Sequence, residues 1–506
     1  MRYVLTFLLL ITLLISFSCR KDFTAVLSDG NLIFSKDTVY LDTVFSNIGS
    51  STYNLKVYNK SAKAISIPSI KLKREQSSFY RLNIDGTPGK VFEDVEILAK
   101  DSIYIFIETT IDFNQVINPI YTDAIAFDSG ENLQEVSLIT LVKDAQFLYP
   151  SKNTNGLIES ITLGVDTEGD EIKVNGFYLN TTTFTNEKPY VIYGYGAVPE
   201  GGTLTVEAGA TIHFHANSGL IVSKNATLSI NGELNNQILI EGDRLEPHFN
   251  NLPGQWGAIW LRAGSTNNTI SNTIIKNATA GIIIDGVGDN SSPTLTIKNT
   301  QIYNSANYGI LGRETRIDGE NLVINNSGQS SLACTGGGTY NFKHSTFTNF
   351  WSNSLRQYPS VYINNYFTTI KNNTPTTETR DLIAANFTNC IIDGNNTVEL
   401  TIDTLEGSIF NYAFKNNLIK FNDINNIYSD FEVYNFEDTN YYSDNIFNAN
   451  PDFKNPENNE LQIGVNSAGI EKADIPTSLL VPNDILGTLR TLPADIGAYQ
   501  HTTIED

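Results

Sequence analysis

Between residues 203 and 240, apolar residues two positions apart recur at nearly constant spacing. The pairs are Leu204/Val206, Ile212/Phe214, Leu220/Val222, Leu228/Ile230 and Ile238/Ile240, in steps of eight, eight, eight and ten residues. Successive side chains of a strand point to opposite faces, so each pair predicts one short strand that turns two side chains inward. Gly201, Gly202, Gly209, Gly219 and Gly232 fall in the intervening turns. Three such strands consume about 24 residues, one coil of a stack of parallel strands.

A second pattern repeats further down the chain: an apolar residue or Gly, any residue, Asn, then an aliphatic or Phe three positions on. It reads Ile270-Ser271-Asn272 with Ile275, and Ile297-Lys298-Asn299 with Ile302. It returns as Gly319-Glu320-Asn321 with Ile324, and as Phe342-Lys343-His344 with Phe347. The last copies are Phe387-Thr388-Asn389 with Ile392 and Phe414-Lys415-Asn416 with Ile419. Asn272, Asn299, Asn321, His344, Asn389 and Asn416 are therefore the expected structural ladder. Their spacings are 27, 22, 23, 45 and 27 residues, and 45 is close to two coils. Stacked coils bring the aliphatics together in buried ladders, and an inward Asn at a bend can hydrogen-bond the amide of the next coil. The arrangement resembles the right-handed parallel β-helix family over residues 190–440, with a connecting β segment at 147–189.

Residues 31–146 read as a different all-β domain. Asn54-Leu55-Lys56-Val57-Tyr58-Asn59 alternates at period two, and Val136–Val142 predicts another strand. Ser102–Glu108 is expected to be a strand buried on both faces or nearly so. Asp85-Gly86, Pro88-Gly89 and Asp128-Ser129-Gly130 supply turns. Short strands at these intervals suggest an immunoglobulin-like sandwich without the Cys-Trp-Cys core of antibody domains. The stretch resembles the N-terminal sandwich modules of Bacteroidetes surface lipoproteins and implies a spacer. The expected fold class is all-β: an immunoglobulin-like β-sandwich, then a right-handed parallel β-helix, then a C-terminal cap.

That cap is expected at 441–506. Asn450-Pro451-Asp452-Phe453, Asn466-Ser467-Ala468-Gly469-Ile470 and Asp495-Ile496-Gly497-Ala498-Tyr499 resemble the terminal segment of bacterial β-helix proteins, including a group named for a variable C-terminal anchor. The resemblance implies a segment that folds over the last coil, where unpaired strand groups would otherwise invite aggregation. Asp484, Arg490 and Asp495 are read as cap residues that hold loops in place.

The opposite end carries a targeting pattern. Met1-Arg2-Tyr3 precedes an almost wholly apolar run, Val4 to Phe17, that ends in Ser18-Cys19. The run is short for a membrane span and reads as a signal peptide at 1–18. It resembles the lipobox of bacterial lipoproteins, although Ser16 stands where Leu is usual. The resemblance implies lipidation at Cys19, a tether at 19–30, and anchoring to the outer membrane of the cell envelope. An ordinary secretory signal with a chance cysteine is the alternative.

Composition narrows the partners. Asp and Glu number 55 against 33 Lys and Arg, a net charge of -22 that repels phosphate backbones and excludes nucleic acid as a partner. The polar bulk is Asn-rich, 58 residues, which suits turns and sheets. Cys334 and Cys390 could be bridged, and two buried free thiols are the blander reading.

The repeat is poor in acids. Asp285, Asp318 and Asp393 each precede Gly, as in Asp-Gly turns, and their spacings of 33 and 75 residues do not align them clearly in one column. Basic candidates are Arg262, Arg313, Arg316 and Arg356, with His344 and Tyr358 nearby in sequence. His213 and His215 share a strand face and read as solvated surface residues, since no third metal ligand is near. Trp256, Trp260, Trp351, Tyr358, Tyr362, Tyr366, Tyr441 and Tyr442 could stack on sugar rings or pack as core and cap. The expected function is non-catalytic binding or display at the cell surface, with a polysaccharide or an envelope protein as partner and no cofactor. The alternative is a carbohydrate-active enzyme, most plausibly a polysaccharide lyase.

Overall fold

Parallel pairing with the third strand onward organises the residues after Ala145. Thr203–Val206 pairs with Thr227–Asn231, Thr211–Phe214 with Ile238–Gly242, and Gly219–Val222 with Ile259–Leu261. Each coil thus has three faces, called here first, second and third in that order. Leu204 lies beside Leu228, and Leu204, Ile212, Leu220, Leu228, Ile240, Ile270, Ile302 and Ile324 all face one continuous buried core. The computed structural model describes residues 24–166, 169–288, 291–371 and 374–504, so Cys19 and the signal segment lie outside the described residues. Within them the chain is nearly all β. Its strands from Gln146–Leu148 to Ile446–Phe447, apart from the separate hairpin Tyr366–Lys371/Thr374–Thr379, join one large sheet that is parallel except at the hairpin Ser160–Val165/Glu171–Tyr178. No helix among the described residues is long and apolar enough to cross a membrane.

The stack begins well before residue 190. Gln146–Leu148 pairs with Tyr190–Ile192, and the end of Glu171–Tyr178 pairs with Tyr195–Val198. The stretch read as a connecting segment therefore supplies the first coil. Its apolar repeat is interrupted by the hairpin, whose outer residues are exposed.

All six ladder residues have left-handed backbone, with φ of 45° at Asn272, 47° at Asn299, 51° at Asn321, 44° at His344, 59° at Asn389 and 52° at Asn416. Asn occupies that region with less strain than other residues with a Cβ, which accounts for its recurrence at the bend from the first face to the second. The expected bonds to amides of the next coil are not made by the ladder among the described residues; other Asn residues accept from the preceding coil, Asn417 Oδ1 from Cys390 N at 2.7 Å and Asn349 Oδ1 from Ser327 N at 2.9 Å. Within the stack the ladder bonds side chain to side chain or to carbonyls, and Asn389 Oδ1 also accepts from the Asp474 amide at 2.7 Å. Asn321 Nδ2 donates to Asn299 Oδ1 at 2.9 Å, and Asn272 Nδ2 to the Gly232 carbonyl at 3.0 Å. Asn389 Nδ2 lies 2.8 Å from His344 Nε2. These two residues are neighbours, so the interval of 45 is one enlarged coil and not two. The extra length is the loop at 350–360 and the antiparallel hairpin Tyr366–Lys371/Thr374–Thr379.

The C-terminal segment runs along one flank of several coils, the last ones included, and does not fold over the end alone. Val323, Thr346, Ile391 and Leu418 occupy one outward column of the second face, yet each is at most 2% exposed. Leu461, Ile485, Ala498 and Tyr499 cover one part of that column, and Ile463, Ala473, Ala494 and Ile496 the other. Residues 449–504 therefore form a strap along the flank. The end of the stack is closed instead by 422–441, whose Tyr428, Val433, Tyr434 and Phe436 pack on the core. Tyr434 Oη donates to the Ile402 carbonyl at 3.0 Å and accepts from its amide at 2.9 Å. In the strap, Asp484 accepts from the amides of Leu486, Thr488 and Gln500, and Asp495 from those of Glu471 and His501. Cys334 and Cys390 are buried free thiols, and burial pushes the Cys390 thiol up to about 12.

The unit ending at Asp144 is built from two sheets around a single core. One runs Val26–Leu27, Ile65–Leu72, Ile120–Phe127, Gln134–Lys143, Thr38–Phe45, with Val91–Ile97 also beside Ile65–Leu72. The other runs Ile33–Phe34, Tyr53–Tyr58, Ser102–Thr109, Tyr80–Ile84, Thr87–Gly89. Ser102–Thr109 is buried on one face only. Ile105 and Ile107 point into the core, whereas Tyr104 and Phe106 are 47% and 43% exposed. The expected double burial does not hold, because this strand is central in its sheet but the sheet's outer face is open to solvent.

Candidate functional site

With the strap on the second face, the first and third faces carry the exposed strand surfaces of the stack. On the third face Trp260 pairs with Ile283, Ile283 with Leu311, Leu311 with Ala333, and Ala333 with Tyr362. These outward positions, of which Ala333 is itself buried, alternate with the inward Ile259, Leu261, Ile282, Ile284, Ile310, Leu332, Val361 and Ile363. The period-two pattern therefore fixes where the outward side chains point. Five successive rungs at about 4.8 Å span roughly 19 Å from Trp260 to Tyr362.

Along this row Asp285 is held from both sides. Trp260 Nε1 donates to its Oδ2 at 2.8 Å, and Arg313 Nε to its Oδ1 at 2.6 Å. The Arg262 guanidinium lies over the Trp260 ring, 4.8 Å from its centre, and donates to the Leu163 carbonyl of the hairpin. That hairpin bounds the row at one end, where Leu163, Val174 and Trp260 pack against one small cluster of Ile161, Ala197 and Ile221. Towards the other end Asp403 accepts from Tyr362 Oη at 3.0 Å and Tyr366 Oη at 2.6 Å. Burial, then the charge of Asp403, raises the Tyr362 phenol, which stays a donor. Burial raises the Tyr308 phenol as well, and the Arg313 charge opposes this.

Among the described residues, Asp285 and Asp403 do not form a catalytic pair. Asp285 and Asp403 are the outward residues of strands four rungs apart, about 19 Å. Glycosidases hold their two carboxyls about 5–9.5 Å apart. Glu314, at the corner beyond Arg313, is tied to Arg380 at 3.2 Å. Among the described residues no group of three His, Cys, Asp or Glu could hold a metal ion.

The remaining sequence candidates disperse. Arg316 pairs with Asp318 at 3.0 Å on the first face. Arg356 is buried against Glu399 at 2.5 Å, and the amides of Ser360 and Asn396 also donate to that carboxylate. Burial pushes Glu399 up to about 7, against the pull of Arg356. Asp393 is buried near Lys420, and burial raises its carboxyl too. His344 Nε2 lies 3.0 Å from Ser478 Oγ, and burial first, then the Arg490 charge, holds its pKa well below the usual histidine range. His213 is 1% exposed and not solvated as expected, with Nδ1 3.1 Å from the Gly242 carbonyl, and His215 pairs with Asp243 at 2.7 Å. The two histidines meet different partners.

Of the eight aromatic candidates, Trp256, Trp351 and Tyr442 are buried. Trp256 stacks on Phe214, and Tyr441 stacks on Tyr412 near the closing loop. Tyr358 is exposed on the loop at 350–360, and Trp260, Tyr362 and Tyr366 remain along the third face. Sequence reasoning missed Tyr308, Asp403 and Glu399. Asp403 lies one residue beyond the inward pair Leu400/Ile402, so the period-two pattern places it outward. Nothing local distinguishes Glu399.

No family model and no curated protein matches the chain. Among solved structures, a GH87 α-1,3-glucanase catalytic unit from Streptomyces thermodiastaticus is 11% identical, with 72% of this chain and 74% of that one covered, at a TM-score of 0.24. A family 123 glycoside hydrolase from Clostridium perfringens is 8% identical over 23% of this chain and 30% of that one, at 0.16. A protein of unknown function from Porphyromonas gingivalis W83 is 13% identical over 29% and 59%, also at 0.16. This chain thus spans under two thirds of the length of the latter two. Likenesses at these scores carry no argument about fold or activity.

Proposed function

We propose that the chain is a lipid-anchored envelope protein that binds glycan on the third face of its coil stack without cleaving it. In this reading Cys19 carries the lipid at the outer membrane, an immunoglobulin-like sandwich acts as spacer, and a right-handed parallel β-helix presents the binding row. The observation that carries it is the Trp260–Asp285–Arg313 arrangement, in which an aromatic ring, a carboxylate and a guanidinium are fixed side by side on rigid strands. Sugars are recognised by stacking on such rings together with hydrogen bonds to charged groups. Support for binding over cleavage comes from the separation of Asp285 and Asp403 and from the engagement of Asp285 by two donors, which leaves it a poor base.

The binding half is tested on a glycan array with the full chain in detergent. Trp260→Ala is expected to lose the bound glycans, and unchanged binding overturns the site. The anchoring half is tested by metabolic labelling with a clickable fatty acid. Wild type should carry label, and Cys19→Ala should lose both label and membrane fraction. Equal labelling of the variant sinks the anchor.

A further inference from the structure

The first face carries a separate groove of about 440 Å³, lined by Thr296, Lys298, Arg316, Asp318, Glu320, Asn341 and Lys343. Strand register sets its chemistry. Thr296, Asp318 and Asn341 form one outward column, and Lys298, Glu320 and Lys343 the next. Both acids are already engaged. Asp318 accepts from Arg316 at 3.0 Å and from Asn341 Nδ2 at 2.8 Å, and Glu320 is paired with Lys298 at 2.7 Å. Asn386 Nδ2 in turn holds Asn341 Oδ1 at 2.9 Å, so the polar column is fixed. Lys343 is half-buried and makes no ion pair among the described residues. The groove thus has three cations against two acids in a chain of net charge -22. An uncompensated, half-buried ammonium beside neutralised partners attracts an anion, and two lysines two rungs apart, about 10 Å, suit an extended chain.

The geometry points to an anion-binding groove on the first face that takes the carboxylate or sulfate groups of an acidic glycan, with Lys343 as the principal contact and Lys298 as the second. This rests on the reading of the stack as a glycan binder, and it adds a site and a charge class to the third-face row.

Affinity electrophoresis of the full chain in detergent tests it, in gels containing polygalacturonate, dextran sulfate or neutral dextran. Retardation by a polyanion and not by neutral dextran is expected, and the two polyanions distinguish carboxylate from sulfate. Lys343→Gln is expected to weaken retardation about tenfold, the usual size of one charge-assisted hydrogen bond. Lys298→Gln should weaken it as well, because it removes a cation and leaves the Glu320 carboxylate unpaired in the groove, and Trp260→Ala should leave it intact. Lys343 is on the surface of its strand, so an unchanged thermal midpoint checks the fold of the variant. Retardation that is equal in neutral dextran, or indifferent to Lys343→Gln, overturns the groove. If glycan-array binding through Trp260 persists while polyanions fail to retard the protein, the inference fails alone. If no glycan binds in either assay, both readings fail.

Discussion

Arg490 Nη2 donates to Asn321 Oδ1 over 2.8 Å, so a residue of the strap completes a ladder bend 169 positions earlier in the chain. The same guanidinium group reaches the carbonyls of Gly497 and Ala498. Burial lowers the Arg490 pKa to about 10 even though Asp484 and Asp495 act to raise it. Arg490→Ala leaves these acceptors buried without their donor and is expected to cost roughly 2–4 kcal/mol. Urea denaturation measures it. An unchanged midpoint would show that the strap is not fastened at this point.

A hydrophobic column lies beneath that strap. Ile391 points outward and Ile392 inward from the same strand, and both are fully buried. Ile391→Ala should therefore cost about as much as Ile392→Ala, roughly 2–4 kcal/mol. A strand side open to water would lose only about 0.5 kcal/mol. Comparing the two midpoints decides whether the strap covers the flank in solution.

The stacked core has its own control pair. Ile324→Asp places an unpaired charge among fully buried aliphatics and should cost several kcal/mol, on the order of 4. Asn267 is exposed with φ at 54°, so Asn267→Gly should change stability by about 0.5 kcal/mol or less. Similar melting shifts for the two would show that the register is wrong.

His344 stands where the other five ladder positions carry Asn. Its folded-state pKa lies well below the ordinary value of 6.5, with the positive Arg490 adding to the effect of burial, while Asp474 opposes it. Below pH 6.5 the unfolded chain binds a proton that the folded chain does not, so this contribution to stability is present above that pH and lost as the pH falls. Denaturation between pH 7 and 5 should show wild type losing more stability than His344→Asn. Parallel curves would mean that His344 protonates without penalty.

Much of the coil stack was legible because it is local: inward pairs at i and i+2, and Asn at bends that need left-handed backbone. What stayed hidden depends on distant partners. Leu322-Val323-Ile324 and Cys390-Ile391-Ile392 are apolar on both strand faces, which signals a covered face, but the cover is supplied by residues more than sixty positions away. The insertion between His344 and Asn389 disguised one coil as two, since spacing alone cannot separate a long coil from a missing repeat. In the candidate row, Trp260 and Arg313 were visible as residue types. Their meeting at Asp285 follows only from the register of three strands.

Incubation of the full chain on a glycan array, followed by mass spectrometry of each occupied spot, reads binding and cleavage together. The expected result is retained protein on a subset of glycans, unchanged glycan masses, and loss of that retention in Trp260→Ala. Glycans shortened by wild type, with hydrolytic or unsaturated ends that disappear with Arg313→Ala, would contradict non-catalytic binding on the third face.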